Sequence, residues 1–171
     1  MASIIKATPK DAILLSQIGT QSFIESHGHS AAEEDINKYI SEAYDSHSLH
    51  DELSGPENIY YIIFENNKAA GFSKIILNSP YKDISAKKVT KLERIYLLKE
   101  FYGLNLGNEL MNFNIQLSKN NDQAGMWLFT WKENQRAIAF YKKLGFEIIG
   151  SADFRLTPTH SNPNHLMYLE Y

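Results

Sequence analysis

LERIYLLKEFYGLNLGNEL, residues 92–110, carries an apolar strand through a short turn straight into an amphipathic helix. Leu92, Ile95, Leu97 and Leu98 are the strand's apolar members within residues 89–98. Leu106, Leu110, Phe113 and Leu117 then recur at helical spacing and predict a helix over residues 107–118. A strand that feeds a helix in this way presents unbonded N–H groups and the positive end of the helix dipole to an anion. Gly103 and Gly107 let the main chain approach a phosphate closely, and Asn105 tolerates a left-handed backbone better than most residues. No Gly-Lys-Ser/Thr follows, so a nucleotidase P-loop does not fit. The turn suits a pyrophosphate held by backbone rather than by lysine. On these residues alone the alternative, a tight turn and nothing more, stays open.

A second stretch, WKENQRAIAFYKKLGF, covers residues 131–146. Asn134 is placed to cap a helix, Ala137, Ile138, Phe140, Tyr141 and Leu144 crowd one side of it, and Gly145 ends it. A tyrosine hydroxyl near the end of a buried helix needs a partner. Tyr141 is therefore either a core tyrosine bonded to backbone or a functional phenol.

Around these two stretches the rest of the chain reads as alternating elements. Residues 3–7 form a short strand, and Thr8, Pro9 and Asp11 supply an N-cap, a first-turn proline and a capping-box acid for the first helix. Ser30 and Glu33 repeat the capping box ahead of Ile36, Tyr39, Ile40, Ala43 and Tyr44, and a short helical piece at residues 49–53 stops at Gly55-Pro56. Residues 58–65 and 69–78 are rich in Ile, Tyr and Phe and flank Asn66-Asn67, a hairpin signature. Strands follow at residues 126–131, 146–154 and 165–170, with residues 157–164 expected as a loop. The order βααβββαβαββ describes an α/β (α+β) domain with a mixed, mostly antiparallel central sheet flanked by helices, not a doubly wound sheet.

Composition narrows the function classes. Seventeen Lys+Arg against 20 Asp+Glu give a formal charge of -3, which argues against a nucleic-acid footprint. With no cysteine the chain has no disulfide framework, zinc-thiolate site or thiol nucleophile, as fits a reducing cytoplasm. The N-terminus reaches Asp11 too soon for a signal segment, and no apolar run is long enough to span a membrane. A single domain over residues 1–171 is expected. The pairs His27 and His29, His47 and His50, and His160 and His165 lack a carboxylate at metal-site spacing, so no metal is expected.

Taken together, the two stretches resemble the GNAT superfamily of acyl-CoA-dependent N-acyltransferases. Its second motif, Asn-x-x-Ala-x-x-Phe-Tyr-x-x-x-Gly-Phe, is met at every position by Asn134, Ala137, Phe140, Tyr141, Gly145 and Phe146. In its first motif Gly107 fits, while Tyr102 stands where Gln or Arg is usual and Asn105 where the first Gly is usual. Glu93-Arg94-Ile95-Tyr96, residues 131–134, Phe23 and the acidic Glu33-Glu34-Asp35 are similar to the bacterial PaiA-type polyamine (spermidine/spermine) N-acetyltransferases.

The resemblance implies direct transfer of an acetyl group from acetyl-CoA, the cosubstrate, to a small-molecule amine, without a covalent acyl-enzyme. It implies that the main chain of Ile95, Tyr96 and Leu97 binds the pantetheine arm and stabilises the oxyanion. Tyr102, Gly103, Leu104, Asn105, Leu106, Gly107 and Asn108 would cradle the pyrophosphate, and Asn134 would contact CoA. Tyr141 would be the acid that protonates the departing thiolate. Glu93, on the same strand, is the candidate base acting through water. Glu25, Glu33, Glu34 and Asp35 are candidate steering charges for a cationic amine. Two alternatives stay open: a catalytically weak acyl-CoA-binding regulatory module, and an acetyltransferase acting on protein N-termini or lysines. Oligomeric state, monomer or homodimer, stays open, because Tyr and Phe counts do not separate core from interface.

Overall fold

The structure, a computed structural model, describes residues 1–171. Its strands are β1 (Ala2–Lys6), β2 (Ile59–Glu65), β3 (Lys68–Ile76), β4 (Thr90–Leu97), β5 (Gly125–Trp131), β6 (Glu147–Thr157) and β7 (His160–Glu170). Its helices are α1 (Ala12–His27), α2 (Glu33–Ala43), α3 (Ser46–Ser54), α4 (Leu106–Asn120) and α5 (Gln135–Lys143). The strands make one seven-stranded sheet in the order β1-β2-β3-β4-β5-β7-β6. Of the pairings, β1 with β2, β2 with β3, β5 with β7 and β6 with β7 are antiparallel, and β4 with β5 is parallel. The expected mixed, mostly antiparallel sheet with flanking helices is the observed fold. Its element order differs from the expected one only by counting the short helical piece as a full helix, α3.

Two compact units divide the chain, residues 1–75 with 94–114, and residues 76–93 with 115–171. In the first, the hairpin of β2 and β3 turns at Asn66 and Asn67, whose φ values of 48° and 64° are the left-handed pair that a two-residue hairpin turn requires. Leu15, Ile18, Phe23, Leu49, Tyr60, Ile62 and Phe72 are buried there. Burying side chains of this size stabilises the fold by roughly 2 kcal/mol each. Gly71 on β3 lies so close to the Tyr96 carbonyl and to Leu97 of β4 that a Cβ would collide with both. Thr8 donates both its N–H and its hydroxyl to Asp11, closing the 3-10 turn that leads into α1.

In the second unit, Trp127 packs with Ile84, Val89 and Leu166, joined by Tyr81, Phe129 and Tyr168. Its indole N–H donates to the Ser79 carbonyl at 2.7 Å, so the aromatic body is buried without leaving its donor unpaired. The buried hydroxyls of Thr90 and Ser118 bond each other at 2.6 Å.

Two local expectations need correction. Helix α2 starts at Glu33 with Ala32 in the cap position, not at Ser30. Its three first-turn acids, Glu33, Glu34 and Asp35, compensate the dipole where a side-chain cap is missing. The expected loop at residues 157–164 is instead a continuation of the sheet. β6 runs on to Thr157 and β7 begins at His160, with Asp153 opposite Pro163 and Ala152 opposite Asn164. Pro163 directs its carbonyl away from β6, where it accepts from Lys132 N–H at 2.9 Å. Its missing N–H therefore removes no bond to β6, and the proline does not break the strand.

Candidate active site

The turn between β4 and α4 lies in the first unit. Leu98 N–H donates to the Ala70 carbonyl at 2.9 Å, and Lys99 N–H donates to the Glu25 carboxylate at 2.7 Å, so both sides of the turn's start are tied down. Glu25, expected among the steering charges, is thus an anchor. Gly103 and Asn105 both take positive φ, 84° and 62°. A Cβ on Gly103 would meet nothing within 4 Å, so the glycine answers to the backbone angle and not to crowding. The Asn105 carbonyl accepts from Glu109 N–H at 3.2 Å, the first bond of α4. The N–H groups of Leu106, Gly107 and Asn108 precede that bond and have no acceptor within the helix. The Asn105 side chain does not cap them, because its oxygen takes the Asn108 side-chain amide at 2.6 Å. An array of outward N–H groups with alternating left-handed residues is a receptor for phosphate oxygens.

The second unit holds the other motif. The Asn134 side-chain oxygen accepts from Ala137 N–H at 3.1 Å and caps α5. Tyr141 is 8% exposed, with its ring against Phe140 and Phe146 at centroid distances of 5.4 and 5.7 Å. Its hydroxyl makes no hydrogen bond within the chain, so the reading of a core tyrosine bonded to backbone does not hold. Burial pushes its pKa well above the ordinary phenol value, which keeps the proton on the oxygen at neutral pH. Glu93 is half-buried, and Lys91 Nζ donates to its Oε1 at 3.4 Å.

In the first unit β4 has two distinct faces. Leu97 overhangs Gly71, on the same side as Ser73, which accepts from the Asn114 amide of α4 at 2.9 Å. Arg94 and Tyr96 point the other way, toward α1, α2 and α3. Tyr96 meets Phe23 and His27 of α1 at 6.4 and 5.8 Å. Arg94 stacks over Tyr44 at 5.1 Å and donates from Nη1 to the Tyr60 hydroxyl at 2.9 Å. That hydroxyl donates to Glu52 Oε2 at 2.6 Å, and the same oxygen accepts from Lys74 Nζ at 2.8 Å. Burial raises the Glu52 pKa, but the Lys74 and Tyr60 bonds more than offset it and leave the carboxyl below its ordinary value. Desolvation works against the Arg94 charge, yet the surrounding Tyr44, Tyr60, Tyr39 and Glu52 groups raise its pKa, and it stays cationic. His27, stacked on Phe23 at 4.9 Å, is lowered to about 4 by burial and by His29.

Sequence reasoning gave Arg94, Tyr44, Tyr60, Glu52 and Lys74 no role. One signal was available: a charged residue alternating with Tyr96 on a face where a strand normally carries apolar side chains.

With the geometry of both motifs in hand, comparison with known families is decisive. The model of the acetyltransferase (GNAT) family matches residues 23–146. The chain belongs to the GNAT acetyltransferase family. An uncharacterized N-acetyltransferase of Lactobacillus delbrueckii subsp. lactis is 25% identical over 142 residues, covering 83% of this chain and 82% of the relative. The PaiA N-acetyltransferase from Thermoplasma acidophilum, solved with coenzyme A, shares the fold at a TM-score of 0.80. The match has 20% identity and covers 100% of this chain and 99% of that one. The ribosomal-protein-S18-alanine N-acetyltransferase from Escherichia coli aligns at 0.72 with 18% identity, covering 99% and 94%.

As a GNAT member the chain is an acetyl-CoA-dependent N-acetyltransferase, and an enzyme rather than only an acyl-CoA-binding regulatory module. The turn at residues 98–108 leaves the Leu106, Gly107 and Asn108 N–H groups ahead of the first α4 bond, a donor set whose chemistry fits phosphate oxygens without a metal or a lysine. No group of three or more His, Asp or Glu residues could hold a metal ion. His47 and His50 instead lie beside Asp51 at 3.8 and 3.7 Å on the exposed side of α3, and His160 bonds Asn162 at 2.9 Å. No helix is long and apolar enough to cross a membrane.

Proposed function

We propose that the whole chain, residues 1–171, acts as one cytoplasmic domain that acetylates a small primary amine in a ternary complex with acetyl-CoA. The turn residues Tyr102 to Asn108 hold the pyrophosphate through main-chain N–H groups, and Asn134 contacts CoA with the amide nitrogen left over from capping. The main chain of Ile95, Tyr96 and Leu97 binds the pantetheine arm, and an N–H near Leu97 stabilises the oxyanion as it forms. Glu93, through a water, takes a proton from the ammonium. The free nitrogen lone pair then attacks the thioester carbonyl, the carbon–sulfur bond breaks, the thiolate takes its proton from the Tyr141 hydroxyl, and the surplus proton on the new amide nitrogen is lost to water as the phenolate is reprotonated. The products are an N-acetylated amine and CoA thiol.

One observation carries this reading: Tyr141 is rigidly packed, protonated at neutral pH, and uses its hydroxyl for no internal bond. A phenol with no structural task fits the role of proton donor. Tyr141→Phe is expected to lower kcat by roughly 10²-fold or more while the Kd for acetyl-CoA stays put. A phenylalanine variant that keeps the wild-type rate of thiol release removes Tyr141 from the mechanism. Spermidine and spermine are the acceptors implied by the PaiA-type resemblance, and they belong in the first acceptor panel.

A further inference from the structure

Arg94 stands apart among the charged groups of the first unit. It is half-buried, it makes no direct contact with any carboxylate, and Nη1 alone is bonded within the chain. The nearby carboxylate, Glu52, is held directly by Lys74 at 2.8 Å and reaches Arg94 only through the Tyr60 hydroxyl. Partial desolvation of a guanidinium costs stability unless an anion answers it, and a guanidinium's remaining donors form a planar fork that matches a carboxylate. Tyr44 and Tyr60 fix the plane of that fork from its face and from one nitrogen. Arg94 also directly precedes the strand segment proposed to hold the thioester. It shares a face with Tyr96, about 7 Å further along β4 at two residues' rise. On that face Phe23 and His27 meet the Tyr96 ring, and Tyr44 packs beside Phe23.

We infer that Arg94 is a specificity-determining residue that binds a carboxylate of the acceptor, so the acceptor is an amino acid or similar small amino-carboxylate and not a polycation. The inference rests on the acetyl-transfer reading above. It separates the acceptor from the spermidine and spermine that the resemblance implies, since a polyamine would bring further positive charge against Arg94 and Lys74.

Matched pairs that differ only in the carboxylate test it: lysine against cadaverine, β-alanine against ethylamine, and glycine against methylamine, with spermidine beside them. The full chain is incubated with acetyl-CoA, and release of CoA thiol is followed. The carboxylate member of at least one pair is expected to lead by about tenfold or more in kcat/KM, the scale of one charge-assisted bond. In Arg94→Gln that ratio should collapse toward unity, mainly through KM, and Arg94→Lys should restore part of it. Circular dichroism and an acetyl-CoA titration establish that each variant is folded. The wild-type ratios decide the question even where a variant is not. If cadaverine, ethylamine or spermidine is acetylated as well as the carboxylate amines, the inference is overturned and the transfer reading stands. Acetyl-CoA binding with no acetylation of any carboxylate amine also overturns it. Failure to bind acetyl-CoA removes the transfer reading and takes the inference with it.

Discussion

His27 should make the protein measurably less stable in mild acid. Its imidazole is stacked on Phe23 at 4.9 Å and meets the edge of Tyr96 at 5.8 Å, and burial, helped by His29, lowers its pKa from 6.5 to about 4. In the unfolded chain the same ring titrates near its ordinary value. Above that value both states are neutral and the burial is harmless. Between about pH 6.5 and 4 the unfolded state binds a proton that the folded state refuses, so stability falls as pH drops. Each tenfold loss of proton affinity corresponds to about 1.4 kcal/mol, so the full effect is roughly 3 kcal/mol, and about 2 kcal/mol of it falls between pH 7 and pH 5. Urea unfolding followed by tryptophan fluorescence at those two pH values, for wild type and His27→Gln, isolates the effect, because every other titrating group is common to both. The variant loses ring packing at pH 7, but its further loss on acidification should be smaller than the wild type's by about 2 kcal/mol. Parallel pH profiles for the two proteins would refute the argument that burial holds His27 neutral.

Gly103→Ala places a methyl into open space but forces a side-chain-bearing residue to φ 84°. The expected cost is about 1 kcal/mol of stability, together with a weaker acetyl-CoA Kd as the N–H array shifts, read by thermal unfolding and by calorimetric titration. Asn134→Ala removes the 3.1 Å cap on Ala137 N–H. It should lower stability by about 1 kcal/mol in urea unfolding, and acetyl-CoA affinity should fall as well if the side-chain amide touches CoA.

Elements whose cause is local were legible in the sequence. Asn66-Asn67 announced the hairpin because few residues other than glycine accept two consecutive left-handed angles, and both asparagines adopt them. Asn134 was legible as a cap because the bond it makes spans three residues. The start of α2 was harder to read because a capping box is a pattern of two residues, and three consecutive acids satisfied the helix end by charge instead. The hairpin of β6 and β7 was hidden by Pro158, Pro163 and the two asparagines that flank Pro163, all strong loop signals. Pro163 breaks nothing because its nitrogen faces away from β6, and no property of the residue itself reveals which way a strand will turn it. The Arg94 cluster was invisible for a different reason. Its members stand at positions 44, 52, 60, 74 and 94, and only the packing of α2 and α3 against the sheet brings them within bonding distance.

That difference has a consequence for what the family motifs can and cannot say. In the proposed mechanism residues 102–108 and 134–146 serve the invariant partner of the reaction, acetyl-CoA, largely through backbone and a single phenol, so a short linear pattern is enough to encode them. The inferred recognition of the acceptor falls instead to side chains on the opposite face of β4 and on α1, α2 and α3, where Arg94 meets Tyr44 and Tyr60, and Tyr96 meets Phe23. Those side chains come from separate elements, and exchanging one of them, as in Arg94→Gln, alters the charge presented to the acceptor without touching the motifs. A resemblance carried mainly by the motifs therefore transfers the donor securely and the acceptor only by association. Fold likeness adds nothing on this point: PaiA from Thermoplasma acidophilum and the ribosomal-protein-S18-alanine enzyme from Escherichia coli share this fold at TM-scores of 0.80 and 0.72, and a shared fold does not fix an acceptor. For this chain the charge beside Tyr96 is the more direct witness, and it is positive.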